Sequence, residues 1–476
     1  MNLADQYSVM TKYVDDINEF VSHYHAIVNA QHFSGFFTDS FWEKLPSEFQ
    51  SQLLSDFDSL SQFFRQENPS STFGTCTHAE PLYLECIYCF FRKASSLSLF
   101  HGTELVQNVC NSLLHNSSKK NYEVGLLSQQ IISIAESSNT DRIVDVGSGI
   151  GYLDHCIVSS SDYRVIGLEI SSQNAHKAEE RFDQTLIRGC KLCKHIRNEN
   201  KGQITDFKCN HESSLLKFRS IAHKVDPTTD LDSIVDSTFH PVAGYYDKFI
   251  LAGLHTCGNL SSDVLRLFAS SQKATALCLV PCCYNLMSEY FSSEKLDSVC
   301  EDATPGFPLS RHLYSLRCSL GYDAKQWAAQ NPFSPQESSV RLMFYRALLQ
   351  KLLIDHYGYI GKGWDIGRAT KKMKQNFPHY ISGALTRLKT KLPTPPPDIW
   401  TSEMLEEFEN IHIEGRKQLE AFHYIRLQLS PCLESLIILD KCMFLVELGI
   451  CSSVKLVKIF DPALSPRCLA LVAFKK

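Results

Sequence analysis

The run Asp145-Val146-Gly147-Ser148-Gly149-Ile150-Gly151 follows the apolar pair Ile143-Val144, and Glu169 ends a second apolar run further on. Three glycines at alternate positions between a strand and a helix let a ligand approach the backbone, and a later acidic residue can accept hydrogen bonds from ribose hydroxyls. The dinucleotide pattern G-x-G-x-x-G is not met, because the third glycine comes one residue early and Tyr152 follows it. Asp145, two residues before the first glycine, is placed to meet a cationic amino-acid group. That arrangement suits S-adenosylmethionine better than a pyrophosphate; a plain strand-to-helix turn is the bland alternative. The cofactor set read from this region is Asp145, Gly147, Gly149, Gly151 and Glu169.

A second group lies in Gly253-Leu254-His255-Thr256-Cys257-Gly258 and Pro281-Cys282-Cys283-Tyr284. Methyl transfer is an in-line displacement in which an enzyme aligns the nucleophile and, where needed, removes a proton. His255 is the candidate base, Tyr284 the candidate positioner, and Cys283 completes the catalytic set. Against this stands a strand-end histidine with cysteines acting as small apolar residues. Zinc on His255, Cys257, Cys282 and Cys283 has suitable ligand types, but the ion would occupy substrate space, so no metal is expected here. Cys190, Cys193, His195, Cys209 and His211 have tolerable zinc-knuckle spacing, and reduced loop thiols are the alternative.

The elements that must position these groups are legible as short apolar runs alternating with helical segments. Strands are expected at Arg142 to Val146, Tyr163 to Leu168, Ile221 to Val225, Lys248 to Leu254 and Ala274 to Val280, each buried on both faces. Such alternation implies βαβ crossovers and a parallel sheet, with ligands bound outside the carboxyl ends of its strands. Ser430 and Pro431 read as the N-cap and first turn of a late helix that Gly449 closes. Two final strands, Val454 to Phe460 and Cys468 to Ala473, are separated by seven residues and should pair antiparallel. The fold class expected is α/β, a class I Rossmann-like methyltransferase sheet with an antiparallel C-terminal hairpin.

Four regions follow: a helical N-terminal region at 1–118, core strands one to five at 119–284 with a polar insertion at about 185–217, a mostly helical insertion at 285–429, and the last core helix and hairpin at 430–476. The insertion contains the stiff segment Leu392-Pro393-Thr394-Pro395-Pro396-Pro397. A chain of 476 residues with 44% hydrophobic and 21% charged residues is ordinary globular material, large enough for two domains. The formal net charge of −5 excludes a wholly basic surface. Its 18 cysteines are scattered without a disulfide framework or leader, so an intracellular protein, cytoplasmic or nuclear, is expected. Leu433 to Ile450 is apolar but interrupted by Glu434, Asp440, Lys441 and Glu447, which argues for a buried helix and against a membrane span.

Taken together, the glycine run, His255-Thr256-Cys257-Gly258, Pro281-Cys282-Cys283-Tyr284, Ile438-Leu439-Asp440, Phe460-Asp461-Pro462 and Leu464-Ser465-Pro466-Arg467 resemble the methyltransferase-like protein 25 family. Phe36-Phe37-Thr38-Asp39-Ser40-Phe41-Trp42 with Leu45-Pro46 extends the likeness towards the N-terminus. The His-Thr-Cys-Gly and Cys-Cys pieces also resemble those of tRNA ribose methylases of the thirteen type. The resemblance implies the fold and S-adenosylmethionine, but not the substrate. It also brings forward Lys119-Lys120-Asn121-Tyr122-Glu123, similar to a Lys-Lys-x-x-Glu element of the family, so that Lys120 and Glu123 become candidates to close over the cofactor, with a solvated helix start as the alternative. Asp226, after the third expected strand, either sits beside the adenine or forms an Asp-Pro turn.

The Asn/Asp-Pro-Pro-Tyr run of amine methylases is missing at the fourth strand, which reads Leu254-His255-Thr256-Cys257. This counts against the adenine dimethylation that a name used within the family suggests. The Lys-Asp-Lys-Glu tetrad of many ribose methylases is not evident either. Lys362, Arg368, Lys371, Lys372, Lys374, Arg387, Lys389 and Lys391, interleaved with Trp364, Phe377 and Tyr380, form a basic segment at 362–391 suited to RNA phosphates and stacked bases, or else a solvated helix face. RNA is therefore the leading acceptor. A protein methylase is the alternative enzyme, and a non-catalytic cofactor-binding scaffold recruiting protein partners through its helical regions is the alternative class. Oligomeric state leaves no sequence signal.

Overall fold

The computed structural model describes residues 3–30, 33–58, 86–99, 119–189, 217–239, 247–291, 304–330, 337–358 and 366–476. Contacts divide the chain into two compact units, one of Met1–Asn18, Leu99–Gly321 and Glu434–Lys476, the other of Glu19–Ser98 and Tyr322–Leu433.

The first unit is built on seven strands: β1 (Arg142–Val146), β2 (Arg164–Glu169), β3 (Phe218–Ala222), β4 (Phe249–Cys257), β5 (Ala274–Cys282), β6 (Cys451–Lys458) and β7 (Leu469–Lys475). Their order in the sheet is β3-β2-β1-β4-β5-β7-β6. The first five strands are parallel, while β7 pairs antiparallel with both β5 and β6. This is the class I methyltransferase arrangement with its antiparallel C-terminal hairpin. Helices α1 (Lys119–Ser137), α2 (Tyr152–Ser160), α3 (Ser172–Gly189), α4 (Leu231–Thr238) and α5 (Asn259–Ser270) belong to the same unit. β1 is buried throughout, and β2 and β5 are buried at all but one residue each, as a parallel sheet covered on both faces requires.

Three expectations need correction. The third strand lies at Phe218–Ala222, not Ile221 to Val225, because pairing of Val165 with Phe218 through Glu169 with Ala222 sets its register. It is an edge strand whose side chains are mostly part-exposed, so it lacks the all-apolar run that marks a strand buried on both faces. The fourth strand continues past Leu254 to Cys257 through a register shift between Leu254 and Thr256.

Ser430 and Pro431 do not begin a helix. They lie within α6 (Ile413–Glu447), a helix of 35 residues. An internal proline removes a backbone donor at a cost of about 3 kcal/mol. The helix nevertheless continues because Leu427, Leu429, Cys432, Leu433 and Leu436 are all buried. Ser430 Oγ donates to the Trp327 carbonyl at 2.7 Å. Gly449, with φ +68°, follows the end of α6 as expected.

Each charge in the apolar end of α6 has a partner. Glu434 binds Arg467 at 2.7 Å, Asp440 accepts from the Leu309 and Ser310 amides, Lys441 donates to Ser262 Oγ, and Glu447 accepts from Tyr7. Among the described residues, no helix is long and apolar enough to cross a membrane. The second unit is helical, with an aromatic cluster of Phe20, Tyr24, Phe49 and Phe90 whose neighbouring ring centroids lie 4.9 to 6.3 Å apart.

Candidate methyltransferase site

Gly147, Gly149 and Gly151 all have positive φ, at +76°, +60° and +74°. The three play different parts. A Cβ on Gly151 would meet Ala178 Cβ at 3.1 Å and His155 Nε2 at 3.2 Å, whereas a Cβ on Gly149 would point into open space. Gly151 thus lets the loop turn tightly into α2, and Gly149 leaves room beside the backbone. Glu169 at the end of β2 faces this loop, with Oε2 accepting from the Gly149 amide at 3.0 Å and Oε1 from the Ser171 amide at 3.0 Å.

Beneath the loop, Asp145 is fully buried next to Asp154. Burial raises the Asp145 carboxyl to about 7, with the Glu169 charge adding to the effect, and burial with the neighbouring Asp145 raises Asp154 further. Two buried carboxyls this close share a proton before either gives up its last one. Asp145 Oδ1 and Ser148 Oγ are buried without a hydrogen-bond partner. An open space lined by glycine, a buried unmatched carboxyl oxygen and a strand-end glutamate fit the adenosyl cofactor. Asp145 would face its cationic amino-acid end and Glu169 its ribose.

Strand β4 lies beside β1, pairing Asp145 with Ala252, so its end emerges next to the glycine loop. A Cβ on Gly147 would touch Leu260, just inside α5. His255 occupies the register shift in β4 with φ +60°, and a bulge of this kind re-aims a side chain at a sheet edge. Its Nε2 reaches Glu123 Oε2 at 3.3 Å, with the histidine about one-third exposed and Glu123 almost fully buried. A carboxylate only accepts, so Nε2 carries the proton and Nδ1 keeps the free lone pair. Ser465 donates to the other Glu123 oxygen at 2.6 Å. Burial pushes the Glu123 carboxyl up, but hydrogen bonds from His255 and Ser465 outweigh it and hold the group low.

The structure therefore joins Glu123 to His255. Lys120 lies elsewhere, over the Tyr152 ring at 3.1 Å, at the mouth of the glycine loop. Asp226 accepts from the Thr228 amide at 2.9 Å and its hydroxyl at 2.6 Å, four residues beyond the end of β3. That is a turn-forming aspartate. Tyr284 is fully buried, and its hydroxyl is held by Glu434 at 2.7 Å and the Pro281 carbonyl at 3.3 Å, so it braces the end of β5. Cys283 has φ +48° and brings its thiol to 3.3 Å from that of Cys257. The hydrogen bond from Cys282 lowers the Cys257 thiol to about 6 and raises that of Cys282; burial raises Cys283.

Ser465 and Glu434 are the residues whose roles the sequence did not disclose. Ser465 stands in a quoted family run without an assigned task, and Glu434 was a bare interruption in an apolar helix. Cys190, Cys193, His195, Cys209 and His211 lie outside the described residues.

A family model described as a methyltransferase domain matches residues 119–290. This is a methyltransferase domain. Its span runs from α1, which carries Glu123, to just beyond Cys283, and so contains the whole cofactor set. The chain is also 26% identical to probable methyltransferase-like protein 25 of Mus musculus, over 76% of this chain and 75% of the relative. The Homo sapiens protein of the same name is 26% identical over 75% and 74% respectively. A crystal structure of coclaurine N-methyltransferase aligns at 13% identity with 99% and 100% coverage, but its TM-score of 0.23 is too low to bear on the fold. With this domain around the glycine cradle, the protein is an S-adenosylmethionine-dependent methyltransferase.

Proposed function

We propose that the methyl acceptor is RNA and that His255 removes the acceptor's proton while Glu123 orients it. The observation carrying the RNA reading is the run Arg368, Lys371, Lys372, Lys374, Lys389 and Lys391, all exposed, in a chain of net charge −5. A row of solvated cations binds phosphates by releasing their counterions. The aromatic half of that expectation needs correction. Phe377 and Tyr380 are buried and unavailable for stacking, and Trp364 with Lys362 lies outside the described residues. Arg387 is committed to the carbonyls of Ile366 and Arg368. The segment therefore offers phosphate contacts without base readout.

The bound cofactor supplies a methyl group on a positively charged sulfur. The chain's own residues supply the rest. Glu123 fixes the tautomer and orientation of His255, Ser465 holds Glu123, and the bulge near the end of β4 turns the imidazole to Glu123 on α1. Nδ1 then takes up the proton released as a hydroxyl or amine is methylated, a contribution worth about 10²–10⁴-fold in rate. Incubating the protein with radiolabelled S-adenosylmethionine and separated RNA and protein fractions tests the acceptor. Label in RNA is expected; label confined to protein would replace RNA with the protein-methylase reading, and label in neither favours the scaffold.

A further inference from the structure

We propose that Cys257, Cys282 and Cys283 form a three-sulfur site for a zinc-class metal ion at the carboxyl ends of β4 and β5. The three Sγ atoms lie 3.1 Å (Cys257 to Cys282), 3.3 Å (Cys257 to Cys283) and 3.6 Å (Cys282 to Cys283) apart. Among the described residues, this is the one group of His, Cys, Asp and Glu ligand atoms drawn together in this way. Other thiols, such as Cys278, Cys432, Cys442 and Cys468, are buried as small apolar side chains.

The backbone builds the cluster from both strands. Register pairs Cys257 with Cys282 across β4 and β5. The left-handed φ of +48° at Cys283, uncommon for a residue with a Cβ, brings a third thiol to the pair. Such local strain persists only where the surroundings impose it.

The three sulfurs define a circle of radius about 1.9 Å, smaller than a Zn–S bond of about 2.3 Å. An ion therefore sits above their plane, and a fourth coordination position remains. Tetrahedral zinc sets its sulfurs about 3.8 Å apart, so the three pairs need to open by about 0.2 to 0.7 Å. An all-thiol donor set selects Zn(II) or Cu(I) over magnesium or calcium. Cys257 is exposed, which leaves a path for the ion. His255 is not a member of the group: neither of its ring nitrogens is drawn in among the three sulfurs. The expectation of no metal weighed an ion held by all four residues, whereas a three-sulfur site takes no ligand from the histidine.

The test is the zinc content of the full chain, expressed with zinc and purified under reducing, chelator-free conditions, against Cys257→Ser. The variant should carry one zinc fewer per chain while still binding S-adenosylmethionine. The difference is the readout, so zinc held elsewhere cancels. Cobalt(II) added to metal-depleted wild-type protein should give a near-ultraviolet thiolate-to-metal charge-transfer band that Cys257→Ser lacks, and Cys283→Ala serves if the first variant does not fold. Equal zinc content with equal cobalt spectra overturns the proposal. So does a disulfide among these three cysteines mapped in protein purified under the same reducing conditions.

Discussion

At the residue scale, Gly149, Asp145 and His255 can be separated by experiment. Gly149→Arg places a long cation in the open space beside the cofactor loop, on a residue with φ +60°. Cofactor binding by calorimetry should disappear, with the circular dichroism spectrum retained. His255→Ala should leave cofactor affinity in place and lower turnover by about 10²–10⁴-fold; unchanged turnover removes His255 from the mechanism. Asp145 makes a pH prediction. Burial raises its carboxyl to about 7, above its unfolded value, so the folded protein without cofactor holds extra protons between those two values. Stability from this group is therefore present at low pH and lost as pH rises through about 7. Cationic ligand facing Asp145 favours its ionised form, so binding should release protons below pH 7 and affinity should rise towards it. Calorimetry in buffers of different ionisation enthalpy measures that release; zero release would separate Asp145 from the cofactor.

At the element scale, the end of β5 depends on a strut that runs from α6 to the final hairpin. Glu434 holds both Arg467 and Tyr284, all three nearly or fully buried. Removing one partner of a buried ion pair leaves an uncompensated charge and costs about 3–5 kcal/mol. Arg467→Met should lower the melting temperature accordingly, and a shift within error would show that the strut carries little stability. The sequence disclosed the strands far better than these connections. Four of the seven, β1, β2, β5 and β7, were legible to within two residues from apolar runs, because a largely buried strand can contain little else. β3 was displaced because its exposed edge imposes no such pattern. β4 was cut short because His255, Thr256 and Cys257 do not read as strand residues, and only pairing with β5 extends the ladder to them. Pro431 misled for a related reason: a local rule about helix starts was outweighed by burial along the whole of α6.

At the scale of the whole molecule, the exposed cations at 368–391 and the methyltransferase site belong to different units of the chain. Lys371→Glu, Lys372→Glu and Lys374→Glu combined should therefore weaken RNA binding and flatten its dependence on salt by about one unit of log–log slope per lost phosphate contact, without changing cofactor affinity. Filter-binding titrations across salt concentrations measure both. An unaltered salt slope would assign those lysines to a solvated surface. Segment composition could not show that residues 19–98 pack with 322–433 in one unit, because contacts between distant segments leave no local periodicity.

By itself the sequence determined the parallel sheet, the cofactor loop and the terminal hairpin. These depend on local physics: apolar runs for buried strands, glycines where positive φ or open backbone is needed, and a short link that forces neighbouring strands antiparallel. Only the tertiary structure decided that Glu123 binds both His255 and Ser465, that Tyr284 is a buried brace, that Asp226 makes a turn, and that three cysteines meet. Each of those outcomes depends on partners that chain folding brings together, on a bulge in β4, or on a backbone turn after β5. Side-chain type can nominate such residues for chemistry, but distance and burial decide which of them can perform it.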